Sequence, residues 1–302
     1  MHDRCGTNSS YSQCSAGNKR CRGNSISGQY RANRGEVLAR ALTVLKLGGS
    51  VITDKKREFT TSKKRILRLM KEIRAGATES LIIIHGGGSY GHHLARRYKL
   101  RDGYRDRSQI LGFVRTRQSM TELNKIVLDS AIKNLLPCVS LQPSAFIGMR
   151  NRRIERMDLS IMANLLDLRM IPLLFGDVVF DEQLGFCILS GDQLASRLAT
   201  ELSAKQAILA VDVDGVFDSD PKRNPKAKLM QTMTVEDVRM LIQSGEKRSH
   251  GPDVTGGMVG KLSEILPAVE RGVRAVILNG CVPGRVSEAL KGRPTMGTVI
   301  EL

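Results

Sequence analysis

Short runs of aliphatic residues alternate along the chain with longer segments in which apolar residues recur every three or four positions. The short runs predict buried strands, and the longer segments predict amphipathic helices that pack against them. This alternation is typical of an α/β fold, and we expect a three-layer αβα sandwich around a mainly parallel open sheet. The predicted strands span 42–47, 81–85, 137–141, 171–175, 207–212, 274–279 and 297–301.

Helical periodicity and turn residues define the segments between these strands. Ser62 is a candidate N-cap for a helix whose apolar face includes Ile66 and Ile73, and a later apolar face begins at Met258. Gly185 predicts the turn of a β-hairpin that is inserted between two βα units. We therefore predict helices that begin after Ser62 and that span 108–136, 192–203 and 258–269, and a hairpin over 177–189.

The first 40 residues differ in composition from the rest of the chain. They are rich in Ser, Gly, Asn and Arg and nearly lack aliphatic residues before Val37. Such a segment cannot bury a core, so we predict a disordered basic extension over 1–40 and a folded domain over 41–302. A transit peptide shares this composition, although no apolar helical face can be drawn through the segment, and a mis-assigned translation start fits equally well.

The net charge raises the question of an anionic partner. The chain has 47 lysines and arginines against 30 aspartates and glutamates, which gives a formal net charge of +17. The basic residues occur in scattered short clusters, and the chain has no tryptophan on which a base could stack. We therefore expect no nucleic acid partner and interpret the excess as a solvated basic surface that includes a few phosphate contacts.

The cysteine and hydropathy patterns exclude further classes of protein. The six cysteines form no CxxC pair, so we expect neither a disulfide framework nor a zinc site, and the pattern favours a reducing cytoplasm. No apolar run approaches the roughly 18 residues that a membrane helix needs. We therefore expect a soluble protein with no membrane partner.

Three glycine-rich loops form the candidate ligand site. Lys46–Ser50 and His85–His92 each end a predicted strand, and Thr255–Lys261 opens a predicted helix. Glycine allows backbone N–H groups to approach an anion closely, and the strand-end loops lie where open α/β sheets bind their ligands. A single loop of this kind is more often a tight turn, but three of them with Lys46 and Lys261 indicate a polyphosphate ligand.

Two common phosphate-binding motifs fit this pattern poorly. Residues 86–91 match the dinucleotide fingerprint G-x-G-x-x-G, yet the acidic residue that should follow, Asp102 or Asp106, falls in a polar loop. The P-loop fails because the segment 256–261 is one residue too short and Leu262 stands where serine or threonine is required. A dinucleotide-dependent oxidoreductase is therefore the least favoured function.

Six short segments carry a more specific signal. They are KLGGSVITDK at 46–55, HGGGSYGHHLA at 85–95, GDVVFD at 176–181, SGDQLASRLA at 190–199, VDVDGVFD at 211–218 and DVTGGMVGK at 253–261. Together they resemble, in order, segments of the amino acid kinase superfamily and, within it, of the isopentenyl phosphate kinases. The resemblance runs from about residue 42 to 302. Its most discriminating residue is His92, because the amino-acid-phosphorylating relatives lack a histidine there.

The resemblance implies an ATP-dependent kinase that converts isopentenyl phosphate to isopentenyl diphosphate in an alternative mevalonate pathway of isoprenoid synthesis. Lys46 and Lys55 would contact the transferring and acceptor phosphates, and His92 would donate a hydrogen bond to the acceptor phosphate. Asp192 would orient the lysines, although it is also a candidate N-cap or first-turn acid of its helix. No general base is needed, because a phosphate monoester already presents an ionised oxygen nucleophile.

The resemblance also implies an N-lobe at about 41–170 for the acceptor and a C-lobe at about 171–302 for the nucleotide. Mg²⁺ would arrive bound to ATP, no residue would serve as a metal ligand, and a homodimer is expected. Besides the catalytic residues Lys46, Lys55, His92 and Asp192, the implied substrate-binding residues are Gly87, Gly88, Gly91, His92 and Gly176. The implied nucleotide-binding residues are Lys46, Gly48, Gly49, Ser50, Asp212, Asp214, Gly215, Val216, Phe217, Gly256, Gly257 and Lys261.

Two other functions stay open within the same fold. A fosfomycin-type resistance kinase, or another small phosphate or phosphonate kinase, also carries a histidine after its glycine loop. A non-catalytic nucleotide-binding member of the fold is suggested by Tyr90 and His93, where the family usually has phenylalanine and a small residue or proline.

Overall fold

Apolar strands with both faces buried lie at the centre of the molecule. The computed structural model describes residues 42–54, 57–76, 80–219, 221, 224–246 and 257–302. The predicted extension at 1–40 lies outside the described residues, as do Lys55 and Gly256. The strands are β1 Leu42–Leu47, β2 Ser80–His85, β3 Cys138–Ser140, β4 Ile147–Arg150, β5 Arg153–Met157, β6 Ile171–Phe175, β7 Asp177–Asp181, β8 Gly185–Leu189, β9 Gln206–Val211, β10 Thr232–Thr234, β11 Arg274–Asn279 and β12 Gly297–Glu301.

Helices connect these strands. They are α1 Gly49–Ile52, α2 Lys63–Gly76, α3 Gly88–Arg97, α4 Ser108–Lys133, α5 Ser160–Asp167, α6 Gly191–Glu201, α7 Val235–Glu246, α8 Gly257–Val269 and α9 Arg285–Leu290. Two short 3₁₀ turns, at Leu100–Asp102 and Pro143–Ala145, add to them. Among the described helices, none is both long enough and apolar enough to cross a membrane.

The central sheet has eight strands in the order β10-β12-β11-β9-β1-β2-β6-β3. β1 pairs in parallel with β2 and β9, so Lys46 lies opposite Ile84 on one side and Leu209 on the other. β12 runs antiparallel to β11, and the other described pairs of this sheet are parallel. The predicted mainly parallel open sheet is confirmed.

Helices cover both faces of this sheet. Alternate residues of β1 face opposite layers: Val44 packs with the core under α6, α7 and α8, while Leu45 and Leu47 pack with the core under α2, α4 and α9. Burial on both faces explains why the strands consist of continuous apolar runs. A fully buried leucine or isoleucine contributes about 2 kcal/mol of stability, so this double core accounts for much of the driving force of folding. The three-layer αβα sandwich is confirmed.

The predicted elements agree with the structure where their cores are continuous. All seven predicted strands are present, with ends within one residue of the prediction. The helix predicted over 108–136 ends at Lys133, because Leu135 adopts a left-handed conformation with φ 57°. The helix predicted over 192–203 begins at Gly191, because Ser190 is its N-cap and its Oγ accepts a hydrogen bond from the Gln193 N–H at 3.0 Å. Asp192 is therefore the first-turn acid and not the cap.

Three strands were not predicted, namely β4, β5 and β10. β4 and β5 form an arginine-rich hairpin whose outward residues are exposed, so their sequences lack the apolar run of a central strand. They join β7 and β8 in a second sheet with the order β5-β4-β7-β8. The predicted hairpin over 177–189 is present, but its turn precedes Gly185, which has φ 77° and begins β8.

The carboxylate of Asp181 organises the turns of this second sheet. It is buried and accepts hydrogen bonds from the backbone N–H groups of Asn151 at 3.0 Å, Arg152 at 2.7 Å, Gln183 at 3.0 Å and Leu184 at 3.0 Å. Asn151 and Arg152 have left-handed φ angles of 47° and 66°. Burial alone would raise the pKa of Asp181, but these N–H groups outweigh it and lower the pKa below the ordinary value.

Replacing Asp181 with alanine tests this role. Asp181→Ala leaves up to four backbone N–H groups without their acceptor, and we expect a loss of about 3 kcal/mol in the free energy of unfolding, measured by urea titration. As the control, Asp129→Ala removes an exposed aspartate paired with Lys125 and should cost less than about 1 kcal/mol. Equal losses in the two variants would contradict the role of Asp181.

The stabilisation of the fold by Asp181 should also depend on pH. Because folding lowers the pKa of Asp181, its stabilisation is present above the unfolded-state pKa of about 3.9 and is lost as the pH falls through the lower folded-state value. The difference in stability between wild type and Asp181→Ala should therefore narrow below about pH 4 and stay constant between about pH 6 and 8.

Candidate active site

The two strand-end glycine loops meet backbone to backbone at the carboxyl ends of β1 and β2. The Gly48 N–H donates to the Ala210 carbonyl of β9 at 2.8 Å, and the Gly86 N–H donates to the Leu47 carbonyl at 2.9 Å. A side chain at Gly49 would collide with the backbone of Gly88. Gly88 itself has φ 48°, a conformation that favours glycine. The close contact of the loops therefore explains why glycine occupies these positions.

A buried cluster of three charged side chains lies beside these loops. The Asp192 carboxylate forms ion pairs with Lys46, whose Nζ is 2.6 Å from Oδ1, and with Lys261, whose Nζ is 2.8 Å from Oδ2. Lys46 is only 4% exposed and Asp192 only 12% exposed. The structure thus brings together three of the residues that the sequence implicated, from β1, α6 and α8.

Electrostatics in this cluster are strongly coupled. Burial alone would raise the pKa of Asp192, but the ammonium groups of Lys46 and Lys261 outweigh it and hold the pKa well below its usual range. Burial lowers the pKa of Lys46, Asp192 opposes this shift, and the charge of Lys261 reinforces it. One carboxylate between two ammonium groups leaves the cluster with excess positive charge, which suits a polyanionic ligand.

The local fold explains how Asp192 reaches its partners. It lies in the first turn of α6, where the partial positive charge of the helix N-terminus also stabilises a carboxylate. A Cβ added at Gly191 would lie in ordinary contact with the end of the Lys46 side chain and with the His85 carbonyl, so α6 begins close to the ends of β1 and β2. Gly176, after β6, donates its N–H to the same His85 carbonyl at 3.1 Å.

The second glycine loop leads into α3. Gly87 is the N-cap, and both Gly87 and Gly91 lie against the Met120 sulfur of α4, where a side chain would crowd. His92 lies on an exposed position of α3. His93 forms an ion pair with Glu58 at 3.1 Å when protonated, which gives this histidine a structural partner.

Two aromatic residues near this loop are part of the core. Tyr90 is buried and makes an edge-to-face contact with Phe59, with ring centroids 5.7 Å apart. His85 is fully buried, stacks on Phe175 at 5.5 Å and contacts the Asn124 side chain at 3.2 Å. Burial lowers the pKa of His85 to about 4, so its ring is neutral at physiological pH. This agrees with a structural role for His85.

The segment 212–217 forms a loop after β9. Asp214 Oδ1 accepts hydrogen bonds from Asn279 Nδ2 at 3.0 Å and Arg285 Nη1 at 2.6 Å, which lower its pKa. The Val216 N–H donates to Thr298 Oγ1 at 2.8 Å. Gly215, Val216 and Phe217 are at least half-buried, whereas Asp212 is exposed. The nucleotide-binding roles of these residues, and of Gly257 and Ser50, stay predictions.

Several residues that build the site were not singled out from the sequence. Ser190 caps α6, and Gly191 lies near the end of the Lys46 side chain. Both lie in the SGDQLASRLA segment, so the pattern of cap and small residue before Asp192 is a usable signal. Asn279 and Arg285 have no such signal, because Asn279 ends β11, which pairs with β9, and Arg285 begins α9, so both reach Asp214 only through the tertiary fold.

Comparison with known proteins places the chain in a family. The model of the amino acid kinase family matches residues 41–279. An isopentenyl phosphate kinase of Methanothermobacter thermautotrophicus is 38% identical over 267 residues, which cover 86% of this chain and 98% of that protein. The isopentenyl phosphate kinase of Methanocaldococcus jannaschii is 33% identical over 272 residues, with the same coverage of 86% and 98%.

The three-dimensional comparison agrees with the sequence comparison. A crystallographic structure of isopentenyl phosphate kinase superposes with a TM-score of 0.75 at 35% identity and covers 86% of this chain and 100% of that one. The predicted amino acid kinase fold is therefore confirmed. This chain belongs to the amino acid kinase family and, within it, to the isopentenyl phosphate kinases.

Proposed function

We propose that this protein transfers the γ-phosphoryl group of ATP to isopentenyl phosphate and forms isopentenyl diphosphate and ADP. The observation that carries the proposal is the buried cluster of Lys46, Asp192 and Lys261 beside the two touching glycine loops. Relatives that bear this name are 31–38% identical over most of the chain, and they favour this acceptor over the fosfomycin-type and non-catalytic alternatives.

The chemistry requires two anions to approach each other. An oxygen of the acceptor phosphate attacks the γ-phosphorus, a new P–O bond forms, and the bond between the γ-phosphorus and the bridging oxygen breaks as ADP leaves. The barrier is lowered by positioning and by charge neutralisation rather than by proton transfer. Lys46 and Lys261 supply fixed positive charge for this purpose, and Lys55 and His92 would add to it on the acceptor side.

The glycine loops provide backbone donors to the same region. Within the part of the chain that the structure describes, the N–H groups of Gly87 and Gly88 donate to no main-chain carbonyl. They are therefore available to phosphate oxygens at the N-terminus of α3, a ten-residue helix. Gly48, Gly49 and Ser50 form the matching loop on the nucleotide side.

Mg²⁺ is part of the proposal as a companion of ATP. The Asp192 carboxylate is engaged on both oxygens by ammonium groups, which suits charge orientation and not metal ligation. Among the described residues, no group of three His, Cys, Asp or Glu side chains is arranged to hold a metal. We therefore infer that the phosphates of ATP hold the ion, which would neutralise charge on them.

We also propose a homodimer and a cytoplasmic location. β3 ends the described sheet, and the segments leading into β3 and β6 expose Ile132, Leu135 and Leu168, with Leu135 77% exposed. Such an apolar edge suits a second copy of the chain, and light scattering of the purified protein measures the mass that decides between monomer and dimer.

Two cysteines support the proposed cytoplasmic location. Cys138 and Cys187 form no disulfide, as is usual in a reducing compartment, and burial raises the pKa of each thiol to about 12.

An acceptor panel tests the proposed function. Purified protein with MgATP should form ADP in step with isopentenyl diphosphate when isopentenyl phosphate is present. Fosfomycin, UMP, glutamate and N-acetylglutamate should each be phosphorylated at least about 10²-fold less efficiently in kcat/KM, because the acceptor contacts would not match. Turnover with isopentenyl phosphate no higher than in a blank without acceptor contradicts the proposal.

Asp192→Asn tests the lysine cluster. The amide keeps the size of the side chain but removes the charge between Lys46 and Lys261, so both ammonium groups lose their orientation. We expect kcat to fall by about 10²- to 10³-fold, measured under saturating ATP and isopentenyl phosphate, with the fold checked by circular dichroism. Asp237→Asn, at the exposed start of α7, is the matched control and should keep the wild-type kcat. A wild-type kcat in Asp192→Asn would remove the carboxylate from catalysis.

His92→Ala tests the acceptor side. Loss of a hydrogen-bond donor to the acceptor phosphate should lower kcat/KM for isopentenyl phosphate by about 10²-fold, while the KM for ATP changes little. The neighbouring His93, which pairs with Glu58, offers the matched control, and His93→Ala should change kcat/KM by less than about threefold. An unchanged rate in His92→Ala would exclude this residue from the site.

A further inference from the structure

One side-chain hydroxyl joins the two glycine loops. Thr53 is buried at the end of α1. Its Oγ1 donates to the Gly49 carbonyl at 2.7 Å and accepts the Ser89 N–H at 3.0 Å. Gly49 belongs to the loop after β1, and Ser89 belongs to the first turn of α3 after β2. This hydroxyl thus acts both as donor and as acceptor, and in this way it holds one loop against the other.

The helix that begins at the second loop has no cap of its own. Its N-cap residue is Gly87, which has no side chain and makes no cap hydrogen bond. The N–H of Ser89 is one of the donors that a helix start leaves without an intrahelical partner. Thr53, which lies 36 residues earlier in the sequence, supplies the missing acceptor. The Ser89 N–H therefore binds a protein acceptor, whereas the N–H groups of Gly87 and Gly88 are available to a ligand.

Packing around Thr53 also holds the two glycine loops together. A side chain on Gly88 would collide with the Thr53 hydroxyl and methyl groups, so the two residues already lie at contact distance. Ser89 is held a second time, because its Oγ donates to the Thr60 carbonyl at 3.2 Å and accepts the Thr60 N–H at 3.3 Å. The first turn of α3 therefore has little freedom to move relative to the loop after β1.

We propose that Thr53 is a positioning residue that sets the separation between the nucleotide-side and acceptor-side loops, and with it the distance over which the phosphoryl group is transferred. This inference rests on the proposed function, in which the two loops bind the two phosphates. Thr53 touches neither phosphate and acts through Gly49 and Ser89. In-line transfer is sensitive to displacements of about 1 Å, so loss of this link should reduce turnover more than binding.

Three variants test the proposal. Thr53→Val keeps the shape but removes the hydroxyl, and we expect kcat to fall by about 10²-fold while the KM values for ATP and isopentenyl phosphate change by less than about threefold. ADP release without acceptor should rise relative to transfer. Thr53→Ser restores the hydroxyl and should recover kcat to within about threefold of wild type. Thr43→Val is the matched control, because Thr43 is equally buried, lies at the end of β1 away from both loops, and its hydroxyl accepts a hydrogen bond from Gln206 Nε2 at 3.2 Å.

The outcomes distinguish the proposed function from the positioning role of Thr53. Absence of turnover in the wild-type enzyme contradicts the proposed function, and the inference about Thr53 falls with it. Normal turnover in wild type and an unchanged kcat in Thr53→Val overturn the positioning role alone. An equal loss of kcat in Thr53→Val and Thr43→Val shows a merely structural effect and overturns it too. If Thr53→Val does not fold, Thr53→Ala replaces it in the same comparison with Thr53→Ser.

Discussion

The site depends on one interaction, the carboxylate of Asp192 between the ammonium groups of Lys46 and Lys261. Lys46 is buried at the end of an apolar strand, where an unpaired ammonium group would lose its proton or destabilise the fold. Breaking a buried pair costs about 3–5 kcal/mol, so the stability of this part of the fold rests on the same contact that the proposed function uses. Asp192 also fixes where the positive charge lies. Ser190 caps α6, and Gly191 lies near the end of the Lys46 side chain, so the first turn of α6 lies beside this contact.

The topology of the sheet explains why the charged cluster lies beside the glycine loops. β1 lies between β2 and β9 in parallel register, so the loops that follow these three strands emerge at the same edge. Gly48 bonds to β9, and Gly86 bonds to the end of β1. Any side chain at Gly49 would separate the loops by colliding with Gly88. The absence of side chains at these positions thus brings the two glycine loops as close as the backbone allows.

Much of the fold could be predicted from the sequence. The central strands are buried on both faces of the sheet, so each one is a continuous apolar run that is easy to recognise. The strand Arg153–Met157 was not predicted. It lies in an exposed hairpin and is rich in arginine and glutamate, so its sequence resembles that of a surface loop. Within the site, the three glycine loops with Lys46 and Lys261 indicated a polyphosphate ligand, because glycine allows backbone N–H groups to approach an anion closely. The link of Asp214 to Asn279 and Arg285 could not be predicted, because it joins residues 65 and 71 positions apart that meet only in the folded chain.

The arginine-rich hairpin connects to the charged cluster through one residue. The Arg152 N–H donates to the Asp181 carboxylate at 2.7 Å, and the Arg152 carbonyl accepts from Gln193 Nε2 at 3.1 Å. Gln193 follows Asp192, and its own N–H is bonded to the Ser190 cap at 3.0 Å. Hydrogen bonds therefore run from Asp181 through Arg152 to the first turn of α6. Arg152 itself has a left-handed φ of 66°. The second sheet thus supports α6 at the point where Asp192 holds the two lysines.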